Sequence, residues 1–293
     1  MKQEAAIAAD YSNIAGMVVR KDGETVYERY FGGCTAESRL NVFSVTKSII
    51  SILLGIALDR GCLGSIDQQV LEFFPEYTPK RGEKAIQRIT IRDMLTMTAP
   101  YKYRYAPLIG PDILTGILTR VTGQSVLDFA KKRLFAPLGI PVERSIPFRS
   151  REELMAFYKS TDLRVWAADP AGVNAGGWGL TLSPMDLAKL GQLYLDGGIW
   201  NGQRLVSERW VRESTAEQSR WAERDLPYGY PWWVLPQGHG FAAMGDGGNA
   251  LYVSPDKNLV AAITSRFQPR VKDRIELIRT YVGPALTEKR NRK

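Results

Sequence analysis

The most apolar stretch of the chain covers residues 49–58 and is interrupted only by Ser51 and Gly55. A helix that crosses a bilayer needs about 20 apolar residues, so this stretch is too short to span a membrane. A chain of 293 residues with 44% hydrophobic content is large enough to bury such a segment in a core. We therefore predict a buried helix at residues 44–60, around which the rest of the chain must pack.

A Ser-x-x-Lys motif, formed by Ser44 and Lys47, stands at the head of this predicted helix. Residues three apart in a helix share one face, so the hydroxyl and the amine would be neighbours. A serine hydroxyl is a weak nucleophile until a nearby base takes its proton. Burial disfavours the charged form of a lysine and lowers its pKa, which would allow Lys47 to be that base. The alternative is a serine that begins the helix beside a lysine whose ammonium group reaches solvent.

The chain is poor in residues that bind metals or support imidazole catalysis. It has a single histidine, His239, and two cysteines, Cys34 and Cys62, whose spacing fits no metal motif. We expect no metal and no cofactor, and we interpret His239 as a surface or loop residue. A Ser-His-Asp hydrolase would have to rely on His239 alone, and no Gly-x-Ser-x-Gly elbow accompanies it.

The charge distribution argues against nucleic-acid and membrane partners. The formal net charge is +8, but the basic residues are scattered and form no stripe interleaved with aromatic side chains. We expect no transmembrane segment. The first residues lack the apolar core of a signal peptide, so we expect either a cytoplasmic protein or one exported with its leader removed. The predicted partner is a small molecule, and the sequence leaves the oligomeric state open.

Strand signals lie at both ends of the chain, and helix signals lie between them. An Asp-Gly turn at Asp22 separates two strand-like runs and indicates a β-hairpin. The later strand-like segments are residues 228–235, 240–244, 250–254 and 259–265. This order predicts an α+β fold, with one antiparallel sheet of about five strands from both chain ends, flanked by helices, and an inserted, mostly helical region. We expect one domain over 1–293, with an α/β subregion at about 1–60 and 222–293 and a helical subregion at about 61–221.

Further motifs follow Ser44 in a recognisable order. They are Leu95-Thr96-Met97-Thr98-Ala99, then Leu134-Phe135-Ala136-Pro137-Leu138-Gly139-Ile140, then Gly176-Gly177 ahead of Ser183-Pro184, and finally Gly245-Asp246-Gly247-Gly248. In this order the chain resembles the serine β-lactamase and penicillin-recognising superfamily. It is most similar to the class C-like branch, with its esterases, D-amino-acid peptidases and nylon-oligomer hydrolases. The resemblance implies a β-lactamase/transpeptidase-like fold whose active site lies where the sheet meets the helical region.

The resemblance also implies catalytic roles. Ser44 would be the acylated nucleophile and Lys47 its base. The second motif of the family is Tyr-x-Asn or Tyr-Ser-x, and its phenol passes a proton to the leaving group. The best match is Tyr105, although Pro107 replaces the asparagine and Tyr101 is a nearby alternative. Tyr103 is a second alternative for the phenol and a candidate for substrate binding, and a purely structural tyrosine cluster is the third interpretation.

The third family motif, normally Lys-Thr-Gly or His-x-Gly, falls on Ala243-Met244-Gly245. In β-lactamases a cation near this motif pairs with the substrate carboxylate, and Ala243 carries no charge. The backbone N–H groups of Ser44 and Asp246 would form an oxyanion hole. We expect the substrate to lie against Gly245, Gly247, Tyr103 and Trp178, although core packing explains Trp178 equally well.

These observations predict a serine hydrolase that forms an acyl-enzyme on Ser44. Because the third motif is neutral, an esterase or amidase of small or uncharged substrates is the leading interpretation. One alternative is a β-lactamase or D-amino-acid peptidase. The other is a penicillin-fold binding protein with little turnover. The corresponding ligands are small esters, amides or β-lactams.

Overall fold

The fold is seen in a computed structural model that describes residues 7, 9–81, 83–99, 106–221, 225–235 and 239–282. The strands in these ranges are β1 (Ile14–Lys21), β2 (Glu24–Tyr30), β3 (Leu40–Asn41), β4 (Arg144–Pro147), β5 (Val165–Ala168), β6 (Thr181–Leu182), β7 (Ile199–Trp200), β8 (Gln203–Arg204), β9 (Ser219–Trp221), β10 (Leu226–Tyr228), β11 (Trp233–Val234), β12 (Phe241–Gly245), β13 (Asn249–Ser254) and β14 (Leu259–Ser265). The helices are α1 (Val45–Asp59), α2 (Ile91–Leu95), α3 (Ala106–Thr122), α4 (Val126–Ala130), α5 (Ala136–Leu138), α6 (Arg151–Lys159), α7 (Pro184–Leu195), α8 (Glu208–Ser214) and α9 (Arg274–Leu277).

The central element is an antiparallel sheet with the strand order β2-β1-β14-β13-β12-β11-β10-β9. Strand β1 from the start of the chain pairs with β14 near its end, and Val18 lies opposite Ala262. The α+β prediction of one antiparallel sheet built from both chain ends is therefore confirmed. Five of its strands, β2, β1, β14, β13 and β12, have five to eight residues. The short strands β9, β10 and β11 extend one edge, so the described sheet has eight strands rather than about five.

Helix α1 is the buried helix predicted from the apolar stretch. All of its residues except Leu58 and Asp59 are buried. It packs against helix α3 on one side and against strands β12 and β13 on the other. Helix α1 therefore lies at the junction between the sheet and the helical region. Among the described residues, no helix combines the length and the apolar character that crossing a membrane requires.

The two faces of the sheet are covered by different parts of the chain. Helix α7 packs on β14, β13 and β1, and helix α9 packs against β13 together with the second apolar core. Three two-stranded pairs, β3–β6, β4–β5 and β7–β8, lie outside the main sheet. The division of the chain into one domain with two subregions stays a prediction.

A buried ion pair fixes the start of helix α7. Ser183 accepts a hydrogen bond from the Asp186 N–H, and Asp186 accepts one from the Ser183 N–H, as in a capping box. Asp186 Oδ2 also lies 3.2 Å from Arg39 Nε, and the two side chains are only 3% and 7% exposed. Arg39 directly precedes β3, so this pair ties α7 to the strand that leads into Ser44.

Replacement of Arg39 by methionine is expected to destabilise the protein, because Asp186 would become a buried charge without its partner. Removal of one member of a buried ion pair costs about 3–5 kcal/mol. The free energy of unfolding in urea, followed by tryptophan fluorescence, measures the loss.

Arg164→Met is the matched control. Arg164 pairs with Glu37 and Glu143, but its side chain is 39% exposed. The expected change is below about 1 kcal/mol, as for other exposed pairs. Equal losses in the two variants would contradict the structural role given to the Arg39–Asp186 pair.

Candidate active site

The side chains of Ser44 and Lys47 meet at the N-terminus of helix α1. Lys47 Nζ lies 2.8 Å from Ser44 Oγ and 3.5 Å from the carbonyl oxygen of Gly177. Lys47 is only 8% exposed, whereas Ser44 is partly open to solvent. The two groups that the sequence predicts as nucleophile and base are therefore within hydrogen-bond distance, and the amine is shielded from bulk water.

Burial is the main influence on the charge of Lys47. Desolvation lowers the pKa of its ammonium group, because a charged amine loses its hydration inside the protein. The carboxylates of Asp246 and Asp112 act in the opposite direction and raise the pKa of Lys47. The net effect is a lowered pKa, which favours a neutral amine that can accept a proton.

The residue before the nucleophile has an uncommon backbone conformation. Phe43 has φ of 48°, in the left-handed region that bulky residues rarely adopt. Such a conformation costs about 1–3 kcal/mol and persists only where surrounding contacts hold it. Here the Phe43 N–H donates to the side-chain oxygen of the buried Asn41 at 3.0 Å. The same oxygen accepts from the Gly179 N–H at 3.1 Å, so Asn41 fixes the backbone on both sides of the site.

Strand β12 ends directly against the backbone of Ser44. A Cβ atom added to Gly245 would lie 2.2 Å from the Val42 carbonyl oxygen and 3.2 Å from the Ser44 nitrogen. Only glycine fits this approach. Ser44 and Asp246 lie on the two segments that meet at this contact, and the oxyanion hole formed by their N–H groups stays a prediction.

A second buried asparagine holds the turn that follows β12. Asn249 Nδ2 donates to the Asp246 carbonyl oxygen at 2.9 Å and contacts the Asn41 carbonyl oxygen at 3.4 Å. Its side-chain oxygen accepts from the Ser265 N–H at 3.0 Å. Asn249 thus connects three strands, and it sets the position of Asp246 relative to the segment that carries Ser44.

Asp112 anchors the glycine pair beside Lys47. Its carboxylate accepts from the Gly176 N–H at 2.8 Å, and a Cβ on Gly176 would lie 2.0 Å from the Pro111 carbonyl oxygen. The side chain of Asp112 reaches solvent, yet the surrounding protein atoms desolvate it and raise the pKa of its carboxyl. The N–H groups of Gly176 and Gly177 and the nearby Lys47 lower that pKa and limit the rise.

Aromatic rings form one side of the site. Phe43 packs against Tyr158 and against Phe267, each with ring centroids 5.3 Å apart. Tyr158 also contacts Trp178, with centroids 6.0 Å apart, and Trp178 stacks on Phe148. Trp178 is therefore joined to the residue next to Ser44 through Tyr158, and its role in substrate binding stays a prediction.

The structure brings together Ser44, Lys47, Gly245, Asp246 and Gly247 at one place, and their roles stay predictions. Tyr101, Tyr103 and Tyr105 lie outside the described residues. His239 precedes β12 at the end opposite Gly245, where its ring contacts Arg279 at 3.3 Å, so it does not enter this site. Within the described ranges, no cluster of histidine, cysteine and carboxylate side chains could hold a metal ion.

Several residues of the site escaped the sequence analysis. They are Asn41, Asp112, Tyr158, Asn249 and Phe267. Asn41 and Asn249 are near neighbours of Ser44 and Asp246 along the chain. Asp112, Tyr158 and Phe267 reach the site through contacts between distant segments. The sequence predicts a role only for the Asp246 N–H, whereas in the structure its carboxylate raises the pKa of Lys47.

The sequence of this chain is similar to those of known proteins. A sequence profile of the family described as Beta-lactamase matches residues 5–282. The 6-aminohexanoate-dimer hydrolase of Paenarthrobacter ureafaciens is 22% identical over 291 residues, covering 81% of this chain and 69% of that protein.

Solved structures are similar over nearly the whole chain. A family VIII carboxylesterase has a TM-score of 0.69 and 18% identity, with 96% of both chains covered. A class C beta-lactamase from Rhodobacter sphaeroides has a TM-score of 0.69 and 14% identity, with 97% of both chains covered. These likenesses show the fold, which is the β-lactamase/transpeptidase-like fold that the motif order implied.

Proposed function

This chain belongs to the beta-lactamase family, and on that basis we propose that it is a serine hydrolase which forms an acyl-enzyme on Ser44. The family resemblance drawn from the motifs is thereby confirmed, whereas the activity is our inference. The observation that carries it is the distance of 2.8 Å between Ser44 Oγ and the buried Nζ of Lys47. A hydroxyl next to a desolvated amine is suited to nucleophilic catalysis without an imidazole.

In the first step, neutral Lys47 accepts the proton of Ser44 while the serine oxygen attacks the substrate carbonyl carbon. The carbonyl oxygen becomes an oxyanion, to which the N–H groups of Ser44 and Asp246 would donate hydrogen bonds. Donors fixed before the reaction stabilise this charge without reorganising, and losing one costs about a hundredfold to a thousandfold in kcat in other hydrolases.

In the second step, the leaving group takes a proton and departs, and the acyl group stays on Ser44. Tyr105 remains our prediction for the phenol that passes this proton. Water then attacks the acyl carbonyl, the acid is released, and the serine hydroxyl is restored. Acylation of Ser44 and hydrolysis of the acyl-enzyme by water together cleave an ester or an amide.

The substrate is proposed to be a small or uncharged ester or amide. The position where β-lactamases place a cation is Ala243, which is 1% exposed and belongs to the apolar core. A buried, uncharged alanine provides no cation that could pair with a substrate carboxylate. Ester or amide substrates agree with the similarity of this chain to a family VIII carboxylesterase and to a 6-aminohexanoate-dimer hydrolase.

Replacement of Ser44 by alanine is expected to abolish hydrolysis of short-chain esters and labelling by a fluorophosphonate, because both need the nucleophilic oxygen. Ser51→Ala is the matched control. Ser51 lies on the same helix, is fully buried, and has a hydroxyl without a hydrogen-bond partner in the described structure. Intact-mass analysis and ester assays of the three proteins measure the difference.

Equal ester hydrolysis by wild type and Ser44→Ala would eliminate the acyl-enzyme scheme. Stable labelling of Ser44 without hydrolysis of any ester or amide would instead support the penicillin-fold binding protein. A fluorescent penicillin that labels Ser44 and is then released would support the β-lactamase alternative.

The charge of Asp112 should shift the pH at which kcat/KM falls on the acidic side of the pH profile, which is its acidic limb. Lys47 must be neutral to accept a proton, so activity falls as the pH decreases through the pKa of Lys47. The Asp112 carboxylate raises that pKa. Asp112→Asn keeps an acceptor for the Gly176 N–H but removes the charge, and the limb is expected to move to lower pH.

The measurement is kcat/KM for a neutral ester as a function of pH. Asp256→Asn is the control, because Asp256 lies in the exposed turn between β13 and β14. Its profile should match that of wild type. A limb of Asp112→Asn that stays in place or moves to higher pH would contradict the assignment of Lys47 as the base.

A further inference from the structure

A cavity lies at the C-terminal end of helix α1, away from the candidate active site. Its volume is about 380 Å³, and it is formed by the end of α1, the π-helical turn Lys131–Phe135, helix α5 and the segment that runs on from β8. Helix α1 has 15 residues that each rise about 1.5 Å, so its two ends are roughly 22 Å apart. A small molecule bound in this cavity would therefore not touch Ser44.

Positive charge dominates the lining of this cavity. One carboxylate lines it, that of Asp59, and its Oδ2 already accepts a hydrogen bond from the Ser207 N–H at 2.6 Å. Glu208 begins helix α8 just beyond and is not part of the lining. Within the described ranges, none of the cations in the lining forms an ion pair. These four cations are Arg60, Lys132, Arg133 and Arg204.

The end of helix α1 does not need these cations as caps. Carbonyl oxygens in the last turn of a helix attract cationic side chains when they lack other partners. Here the carbonyl oxygens of Ile56 and Ala57 accept from the backbone N–H groups of Arg60 and Cys62 at 3.1 and 2.9 Å. Because the backbone already closes the helix, helix capping does not explain why four cations meet at this cavity.

Arg133 gives a second, independent sign of a ligand. Its Nε is buried and has no hydrogen-bond partner among the described residues. A buried donor without an acceptor is unfavourable, and an anion in the cavity would supply the acceptor. Arg133 also belongs to the π-helical turn, a conformation that is frequent at functional sites. Arg204 is fixed beside it, since its Nη1 donates to the Gly197 carbonyl oxygen at 2.8 Å.

Apolar side chains complete the wall of the cavity. Leu205 and Val206 are buried, and Ile56 and Pro137 line the cavity with them. A volume of about 380 Å³ falls in the range of about 300–1,000 Å³ that holds small organic ligands. The combination of cations and apolar wall suits a molecule with an anionic group and an organic part.

We propose that this cavity binds a small organic phosphate. The phosphoryl oxygens would accept hydrogen bonds from Lys132, Arg133 and Arg204, and the organic part would lie against Ile56 and Leu205. A phosphate monoester carries about two negative charges near neutral pH and has three strong acceptor oxygens, which the planar guanidinium groups can share. The inference goes beyond the proposed hydrolase function, because it uses no residue of the candidate active site.

The test is isothermal titration calorimetry at about 0.15 M NaCl, where diffuse attraction between charges is largely screened. The ligands are phenyl phosphate, inorganic phosphate and phenol. Wild type is expected to bind one phenyl phosphate in a saturable manner. Inorganic phosphate should bind more weakly because it leaves the apolar wall uncovered, and phenol, which lacks the anionic group, should not bind.

Two variants remove cations from the cavity. Arg133→Gln is expected to weaken the binding of phenyl phosphate at least about tenfold, the size of one hydrogen bond between charged groups. Arg60→Gln changes an exposed side chain, which leaves folding undisturbed, and should weaken binding about fivefold. Arg88→Gln is the matched control, because it removes the same charge from an exposed arginine outside the cavity. Ser44→Ala is the control for binding at the candidate active site, and both controls should bind as wild type does.

The proposal would be overturned by a wild type that shows no saturable binding, or by equal affinity in wild type, Arg133→Gln and Arg60→Gln. An equal loss in Arg88→Gln would mean general attraction to a basic protein, and a loss in Ser44→Ala would place the phosphate in the candidate active site. Inorganic phosphate that binds as tightly as phenyl phosphate would reject the organic part of the ligand. None of these outcomes depends on hydrolysis of an ester or amide.

Discussion

The site depends on the contact between a buried amine and a partly exposed hydroxyl. Lys47 and Ser44 are one helical turn apart, and their reacting atoms are 2.8 Å apart. This contact is chemically useful only while water is kept from the lysine, because hydration would restore an ordinary ammonium group. The apolar helix α1 provides that exclusion, since it is packed between strand β12 and helix α3. In the proposed mechanism, the same burial that forms the core also sets the reactivity of the Ser44 hydroxyl.

The surrounding polar residues keep this contact in register with the sheet. Asn41 holds the left-handed backbone of Phe43, and Asn249 ties the turn after β12 to the strand before Ser44. Asp112 holds the glycine pair whose carbonyl oxygen faces Lys47. All three side chains bond to backbone groups from distant segments. Such bonds fix the positions of loops, which favours donors and acceptors arranged before a substrate binds.

The sequence predicted those features that depend on local spacing. The Ser44–Lys47 contact follows from helix periodicity, and the sheet built from both chain ends follows from the hairpin at Asp22 and the late strand signals. Features that depend on tertiary contacts were missed. Asp112 and Phe267 lie far from Ser44 along the chain, and nothing in their neighbours distinguishes them. The short edge strands, such as β9, also escaped, because three residues give too little periodicity to read.

The most direct test of the account is the pKa of Lys47 itself. It can be followed by NMR titration of protein labelled with ¹³C-lysine, in which the signal is assigned by its loss in Lys47→Met. We expect a pKa of Lys47 below the ordinary lysine value of about 10.4, because desolvation outweighs the nearby carboxylates. A pKa at or above that value would mean that Lys47 stays charged, and the amine could not serve as the base for Ser44.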